Sequence, residues 1–246
     1  MTVVIPREVV VRHADGLPDL PGVETAGYYH TASPMELGGD FYDLFELDGT
    51  RTAFFLGDVC GKGPQAAALT SLTRYTLRAA MIQHADLVDN LRILNRALMA
   101  RYTGDDPRYC TAIAGVFERE GDTLTVRLAS GGHPPALVLR ADGTAEFLST
   151  RGGMLVGVLA TAQFVEVSTV LRPGDTLLLY TAGLTEARVG PDRELYGYDA
   201  LHSFAQARAP AGSMALVDAL TELLRDFGDG LDDDTALLAI GVPATP

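Results

Sequence analysis

A mixed α+β fold, in which strands and helices arrive in runs rather than in strict alternation, is what this chain predicts. Three observations carry that prediction. Residues 38–63, GGDFYDLFELDGTRTAFFLGDVCGKG, have the pattern of a hairpin closed by a glycine-rich turn. Two leucine-striped helical segments follow at once, and from Tyr109 to Val170 the periodicity changes to short strands parted by turn residues.

The elements follow in chain order. Residues 1–22 carry Pro6, Gly16, Pro18, Pro21 and Gly22 and read as a lead-in segment before one domain over 23–246, with no linker, repeat or low-complexity stretch. Val23–Ala32 is the first expected strand. In the hairpin, Asp48-Gly49 reads as a two-residue turn needing positive φ, so that Leu47 faces Thr50 and Asp40 lies opposite Gly57, one residue from Asp58. The second arm, Thr52–Val59, is apolar enough to be buried on both faces. Leu69, Leu72, Tyr75, Ala79 and Ile82 then suggest one helical face. Asp86 caps a second helix striped by Leu87, Leu91, Leu94 and Leu98 and closed by Gly104. Strands are expected over Cys110–Glu118, Thr123–Ser130, Ala136–Arg140, Ala145–Leu148 and Thr176–Thr181. Helices are expected near 198–208 and 213–227, the latter with Ser213 as cap and Leu216, Leu220 and Leu223 as its stripe. An acidic loop, Asp229–Asp234, precedes a last strand over Ala236–Val242.

Composition excludes several classes. With 246 residues, 47% hydrophobic and 21% charged, the chain can bury a large core. A net charge of −13 argues against nucleic acid or an anionic membrane as the main partner. Two cysteines, Cys60 and Cys110, make no disulfide framework, and with no signal peptide or long apolar run a reducing cytoplasm is the expected compartment. Cys60 has no activating neighbour in sequence and reads as a small packing residue.

The chemistry lies in the carboxylates. Asp40 and Asp58 meet at one end of the hairpin, and close carboxylates either share a proton or bind a cation. If the last strand runs antiparallel to its neighbours, Asp232 and Asp233 reach the same edge. An all-oxygen set suits Mg²⁺ or Mn²⁺ rather than zinc or copper. Two such ions, typically about 3.5–4 Å apart, can activate a water and hold a phosphate for in-line attack.

Six segments occur in one order: GGDFYD at 38–43, GDVCGKG at 57–63, ASGGHPP at 129–135, GMLVGV at 153–158, LLLYTAGLTEAR at 177–188 and DDDT at 232–235. Together they resemble the metal-dependent PPM protein phosphatases, and most the SpoIIE/RsbU-type bacterial serine/threonine phosphatase domain, from about residue 20 to the end. The resemblance implies a four-layer α-β-β-α sandwich of two antiparallel sheets flanked by helices, with a dinuclear Mn²⁺ or Mg²⁺ site. It implies that Asp58 bridges both ions, that the Val59 carbonyl and Asp40 serve one of them, and that Asp232 holds the other with Asp233 behind it. Where the family reads Tyr-Thr-Asp-Gly, this chain has Tyr180-Thr181-Ala182-Gly183. A carboxylate ligand to the second ion is therefore missing, and weak occupancy with reduced turnover is expected. No general acid is assigned.

Other residues have plainer readings beside the functional ones. Gly61-Lys62-Gly63 lacks the Ser or Thr and the spacing of a P-loop, which leaves Lys62, with Arg188, as a candidate contact for substrate. His133 reads as a loop-fixing histidine, Asp43 as a surface or turn contact, and the acid run as either a solvated loop or metal ligands. Three functions stand against each other. The first is a phosphatase in which an ion-activated water attacks phosphorus directly, for which the resemblance implies a phosphorylated STAS-domain antagonist of an anti-sigma factor as substrate. The second is an inactive phosphoprotein-binding or regulatory module of the same fold. The third is a diguanylate cyclase, suggested by the likeness of GGDFYD to GGDEF. The resemblance also leaves room for an upstream sensor domain and a homodimer.

Overall fold

The structure, a computed structural model, describes residues 8–11, 17–31, 38–103, 107–150 and 153–244. Its elements in chain order begin with β1 (Glu8–Val11), β2 (Glu24–His30), β3 (Asp40–Glu46) and β4 (Arg51–Val59). Helices α1 (Pro64–Gln83) and α2 (Leu87–Arg101) follow, and then β5 (Cys110–Glu120), β6 (Thr123–Gly131), β7 (Ala136–Leu139), β8 (Ala145–Leu148), β9 (Val165–Leu171) and β10 (Thr176–Tyr180). The chain continues through α3 (Ala182–Glu186), β11 (Arg188–Val189), β12 (Glu194–Leu195), α4 (Gly197–Gln206) and α5 (Ser213–Phe227), and closes with β13 (Thr235–Gly241).

The chain divides into two compact units, one made of residues 39–135 and 148–171 and the other of the remainder. The first holds an antiparallel sheet in the order β3-β4-β5-β6-β9. Helices α1 and α2 lie on one face of it, where Phe41, Phe45, Phe55 and Val59 pack against Leu69, Leu77, Leu91, Leu94 and Leu98. The second holds the sheet β1-β2-β13-β10-β7-β8, with α5 packed on β2 and β13 and α4 on β7. Every residue of β10 and β13 is buried, as their unbroken apolar runs require. The α+β class with two antiparallel sheets and helices is as expected.

The hairpin differs from its expected register by one residue. Glu46 pairs with Thr52 and Asp40 pairs with Asp58. The cause is Asp48. Its Oδ1 accepts from the amides of Thr50 (3.0 Å) and Arg51 (2.9 Å), while Oδ2 accepts from Arg51 Nε at 2.8 Å. That side chain captures the turn and adds a residue to it, and Gly49 does not adopt a positive φ. Because strand side chains alternate, the expected register would have put the two aspartates on opposite faces. The observed one puts them on the same face.

Other elements also differ. The segment read as lead-in contributes β1, which pairs with β2 from Glu8↔His30 to Val11↔Gly27, and it buries Leu17 and Leu20. Strand β9 was missed because it is an edge strand, half-exposed along its length and so without a clean apolar pattern. The buried face of α1 is Ala66, Leu69, Thr73, Leu77, Ala80 and Met81; of the expected stripe Leu69 is buried and Leu72 partly so, whereas Tyr75, Ala79 and Ile82 are exposed. That helix has apolar residues on two faces, and only packing chooses between them. In α2 one stripe exists, and Leu87, Leu91, Leu94 and Leu98 are fully buried, with the Asp86 carboxylate accepting from the Asp89 amide at 2.8 Å. The expected closing residue, Gly104, lies outside the described residues. Ser213 is the first helical residue of α5 rather than its cap, and its hydroxyl donates to the Glu24 carbonyl at 2.9 Å.

Candidate metal centre

In the first unit, Asp40 is buried and Asp58 half-buried as a direct cross-strand pair. Both project from the face opposite α1 and α2, since the alternate residues Phe41, Phe55 and Val59 face the helices. Gly39 sits beneath them. A Cβ built there would lie 2.6 Å from Asp58 Oδ1 and 2.6 Å from the Val59 carbonyl oxygen. Only glycine leaves the space in which a carboxylate and a carbonyl oxygen converge. Two facing carboxylates and a carbonyl form an oxygen-only donor set, and the residues present fit a hard divalent cation. The next cross-strand partner of Asp58 is Thr111, whose hydroxyl hydrogen-bonds His133 Nδ1 at 3.0 Å. Ser130 Oγ accepts from the His133 amide at 3.1 Å, so this histidine pins the 130–133 loop, as expected.

Cys110, paired with Val59, is fully buried. Burial pushes its thiol pKa far up and the Asp58 carboxylate adds to the shift, so Cys110 stays a neutral packing group. Cys60 accepts from the Tyr109 amide at 3.3 Å, also a packing role. Asp43 corrects an expectation. It is buried on the helix-facing side of β3, where Arg78 Nη1 (2.9 Å) and Arg74 Nε (3.3 Å) reach its Oδ2, rather than a surface or turn contact. The spacing of Arg74 and Arg78, four residues apart on one helix face, was the signal available for it.

In the second unit, β10 delivers Ala182 to the start of β13. Thr181 donates its amide to the Ala236 carbonyl (3.1 Å), and Thr181 Oγ1 accepts from the Ala236 amide (2.9 Å). Gly183 lies so close to the Asp234 carbonyl and Thr235 that a side chain there would collide with both. Asp232 and Asp233 are exposed, whereas Asp234 is buried with its carboxylate against Gly38. Asp232 Oδ2 accepts from Arg193 Nη2 at 2.9 Å, and Asp233 Oδ1 accepts from the Asp234 amide at 3.0 Å. Asp234 and Arg193 were not singled out from the sequence. The first was hidden in a run of like acids and the second in a polar turn. Lys62 is exposed between Gly61 and Gly63, both at positive φ, and Arg188 is exposed at the start of β11. Within either unit no three His, Cys, Asp or Glu side chains of the described residues gather about one point. The structure thus pairs Asp40 with Asp58, beside Val59, in one unit, and sets residues 181–183 against Asp234–Ala236 in the other.

Two antiparallel sheets with their helices, a facing aspartate pair before a glycine-rich turn, and an acidic run leading into a central strand define a PPM-type phosphatase domain. The family model described as Stage II sporulation protein E (SpoIIE) matches residues 48–243, and the chain belongs to that family. The GGDFYD segment lies just before the matched stretch. The chain is similar to Protein IcfG of Synechocystis, 26% identical over 91% of this chain and 38% of that protein. It is also similar to the phosphoserine phosphatase RsbP of Bacillus subtilis, 28% identical over 73% of this chain and 43% of that one. It therefore spans about two-fifths of the length of these curated relatives. Among solved structures, the RsbU and RsbW domains of Rv1364c from Mycobacterium tuberculosis match at a TM-score of 0.73 and 30% identity, over 94% of this chain and 64% of that one. The phosphatase domain of SpoIIE from Bacillus subtilis matches at 0.76 and 18%, over 91% and 63%. No helix among the described residues is long and apolar enough to cross a membrane.

Proposed function

We propose that this domain is a metal-dependent serine/threonine protein phosphatase, weakened at one of two ion positions, that acts on a phosphorylated STAS-domain antagonist of an anti-sigma factor in the cytoplasm. The observation that carries the reading is the convergence of Asp58 Oδ1 and the Val59 carbonyl over Gly39, with Asp40 facing Asp58. Asp40, Asp58 and Val59 would hold one Mn²⁺ or Mg²⁺, and Asp232, with Asp233 beside it, the other. Bound ions supply the charge that lowers the pKa of water and neutralises the phosphoryl oxygens.

The chain's own residues do the rest. Asp58 would supply anionic charge to the bound ions. Lys62, on a turn whose glycines leave its side chain exposed, and Arg188 would orient the phosphate. Ala182 offers no carboxylate, so the second position has one anionic ligand fewer, and Mn²⁺ is expected to stay weakly bound there. Membership of the SpoIIE family leaves the cyclase alternative without support. Ala182 also favours a second reading, an inactive phosphoprotein-binding or regulatory module that works as a homodimer.

Phosphate release from a phosphorylated STAS-domain protein tests these readings. Slow Mn²⁺-dependent release by the wild type, faster release by Ala182→Asp and a loss on the order of a hundredfold in Asp58→Asn are expected. No release by either the wild type or Ala182→Asp would instead mean a binding module.

A further inference from the structure

Strands β11 and β12 pair only Arg188↔Leu195 and Val189↔Glu194, so residues 190–193 are the turn of a very short hairpin. Among the described residues Arg193 alone of the non-glycines has a positive φ, 52°. That left-handed conformation is unfavourable for a residue with a side chain and persists where contacts hold it. The contacts are visible. The Arg193 amide donates to the Gly190 carbonyl at 3.2 Å, and Arg188 Nη1 donates to the Arg193 carbonyl at 3.4 Å. The guanidinium reaches Asp232 Oδ2 at 2.9 Å. On the other side of the hairpin, Gly230 lies against the Arg188 carbonyl so closely that a Cβ would collide with it. The hairpin thus rests on the acidic loop at two points, one of backbone and one of opposite charge.

We propose that Arg193 is a tethered counter-ion for Asp232 that competes with a divalent cation for the carboxylate, so that filling that position and loosening the Arg193 tether to the acidic loop are coupled. This rests on the reading of Asp232 as a metal ligand. A carboxylate bonded to a guanidinium has part of its charge already neutralised, and an incoming ion competes with that bond for the charge. The ion prevails because it carries twice the charge and bonds directly to oxygen. Coupling of this kind is reciprocal: whatever holds the turn down weakens the ion, and the ion loosens the turn. Both side chains are more than half exposed, at 56% and 62%, so the pair is worth little by itself. The competition should therefore change affinity about two- to fivefold. It falls on the position that Ala182 already deprives of a ligand, where a small factor decides occupancy at a given Mn²⁺ concentration.

Calorimetric Mn²⁺ titration of the full chain tests this, with circular dichroism confirming that each variant is folded. Arg193→Gln should tighten the weaker ion about two- to fivefold at low salt, and the gain should shrink near about 0.5 M NaCl, where exposed pairs are screened. Arg193→Lys should bind as the wild type does, and Arg193→Gln should change nothing in an Asp232→Asn background. Unchanged or weaker Mn²⁺ binding by Arg193→Gln, with binding still weakened by Asp232→Asn, overturns the counter-ion and leaves the metal reading standing. Full Mn²⁺ binding by Asp232→Asn removes Asp232 as a ligand, and the proposal falls with it.

Discussion

Asp40 and Asp58 are direct cross-strand partners, side by side on the face of their sheet that turns away from α1 and α2. Like charges directly opposite each other destabilise a sheet by roughly 0.2–1 kcal/mol, and a cation between them reverses the sign.

Asp40→Asn should accordingly raise the melting temperature in EDTA by about 1–3 °C. The same change should abolish the rise that Mn²⁺ produces in the wild type, since a ligand stabilises only the state that binds it. Thermal melts with and without Mn²⁺ check both signs. A variant that keeps the full Mn²⁺ shift would remove Asp40 from the centre.

Gly39→Ala should lose Mn²⁺ affinity and about 1–3 kcal/mol of stability, because its methyl would lie 2.6 Å from Asp58 Oδ1 and from the Val59 carbonyl oxygen. Gly49→Ala is the control. Nothing lies within 4 Å of that position and its φ is not positive, so stability should hold or rise. Urea denaturation separates the two.

Ala182→Asp should tighten the weaker Mn²⁺ by at least about tenfold and leave the fold unchanged, because Ala182 is only partly buried at the start of α3. Calorimetric stoichiometry and affinity decide it. Equal, tight binding of two ions in both proteins would show that position 182 is no ligand position.

Asp43→Asn should cost about 1–2 kcal/mol, a figure reduced because Arg74 and Arg78 are 45% and 39% exposed, and should lower the melting temperature by roughly 3–6 °C. Those two arginines tie α1 to β3 through one buried carboxylate. Unchanged stability would mean that the apolar contacts alone seat the helix.

Burial, with Arg74 opposing it and Asp43 reinforcing it, pushes the Tyr42 phenol up to about 12. The unfolded chain then loses that proton first, at its ordinary value of 10.0. Stability contributed by Tyr42 is present below pH 10 and lost as the pH climbs toward 12. Tyr42→Phe should therefore lose less stability than the wild type between pH 9 and 11, measured as the urea midpoint. Parallel curves would contradict the shift.

Much of this could be read before any coordinates. The leucines of α2 form a single stripe, so only one face was available to the core, and it is the buried one. In α1 Leu72, Tyr75 and Ile82 offered a second face as good as Leu69, Leu77 and Met81, and periodicity could not choose. β9 carries no continuous apolar run and β1 only Val9–Val11 after Pro6, Arg7 and Glu8, and each pairs with a neighbouring strand that supplies the other half of its hydrogen bonds.

The chain alone determined the fold class, the order of its motifs and the oxygen-only character of the acidic residues, because these depend on residue type and spacing; the expectation for Ala182 came from the family resemblance. Tertiary structure decided that Asp40 faces Asp58, since a side chain at Asp48 holds the turn amides and shifts the register by one, which moves a whole strand's side chains across the sheet. It also decided that Arg193 reaches Asp232, 39 residues along the chain. Contacts between groups so far apart are made by folding, and no local pattern encodes them.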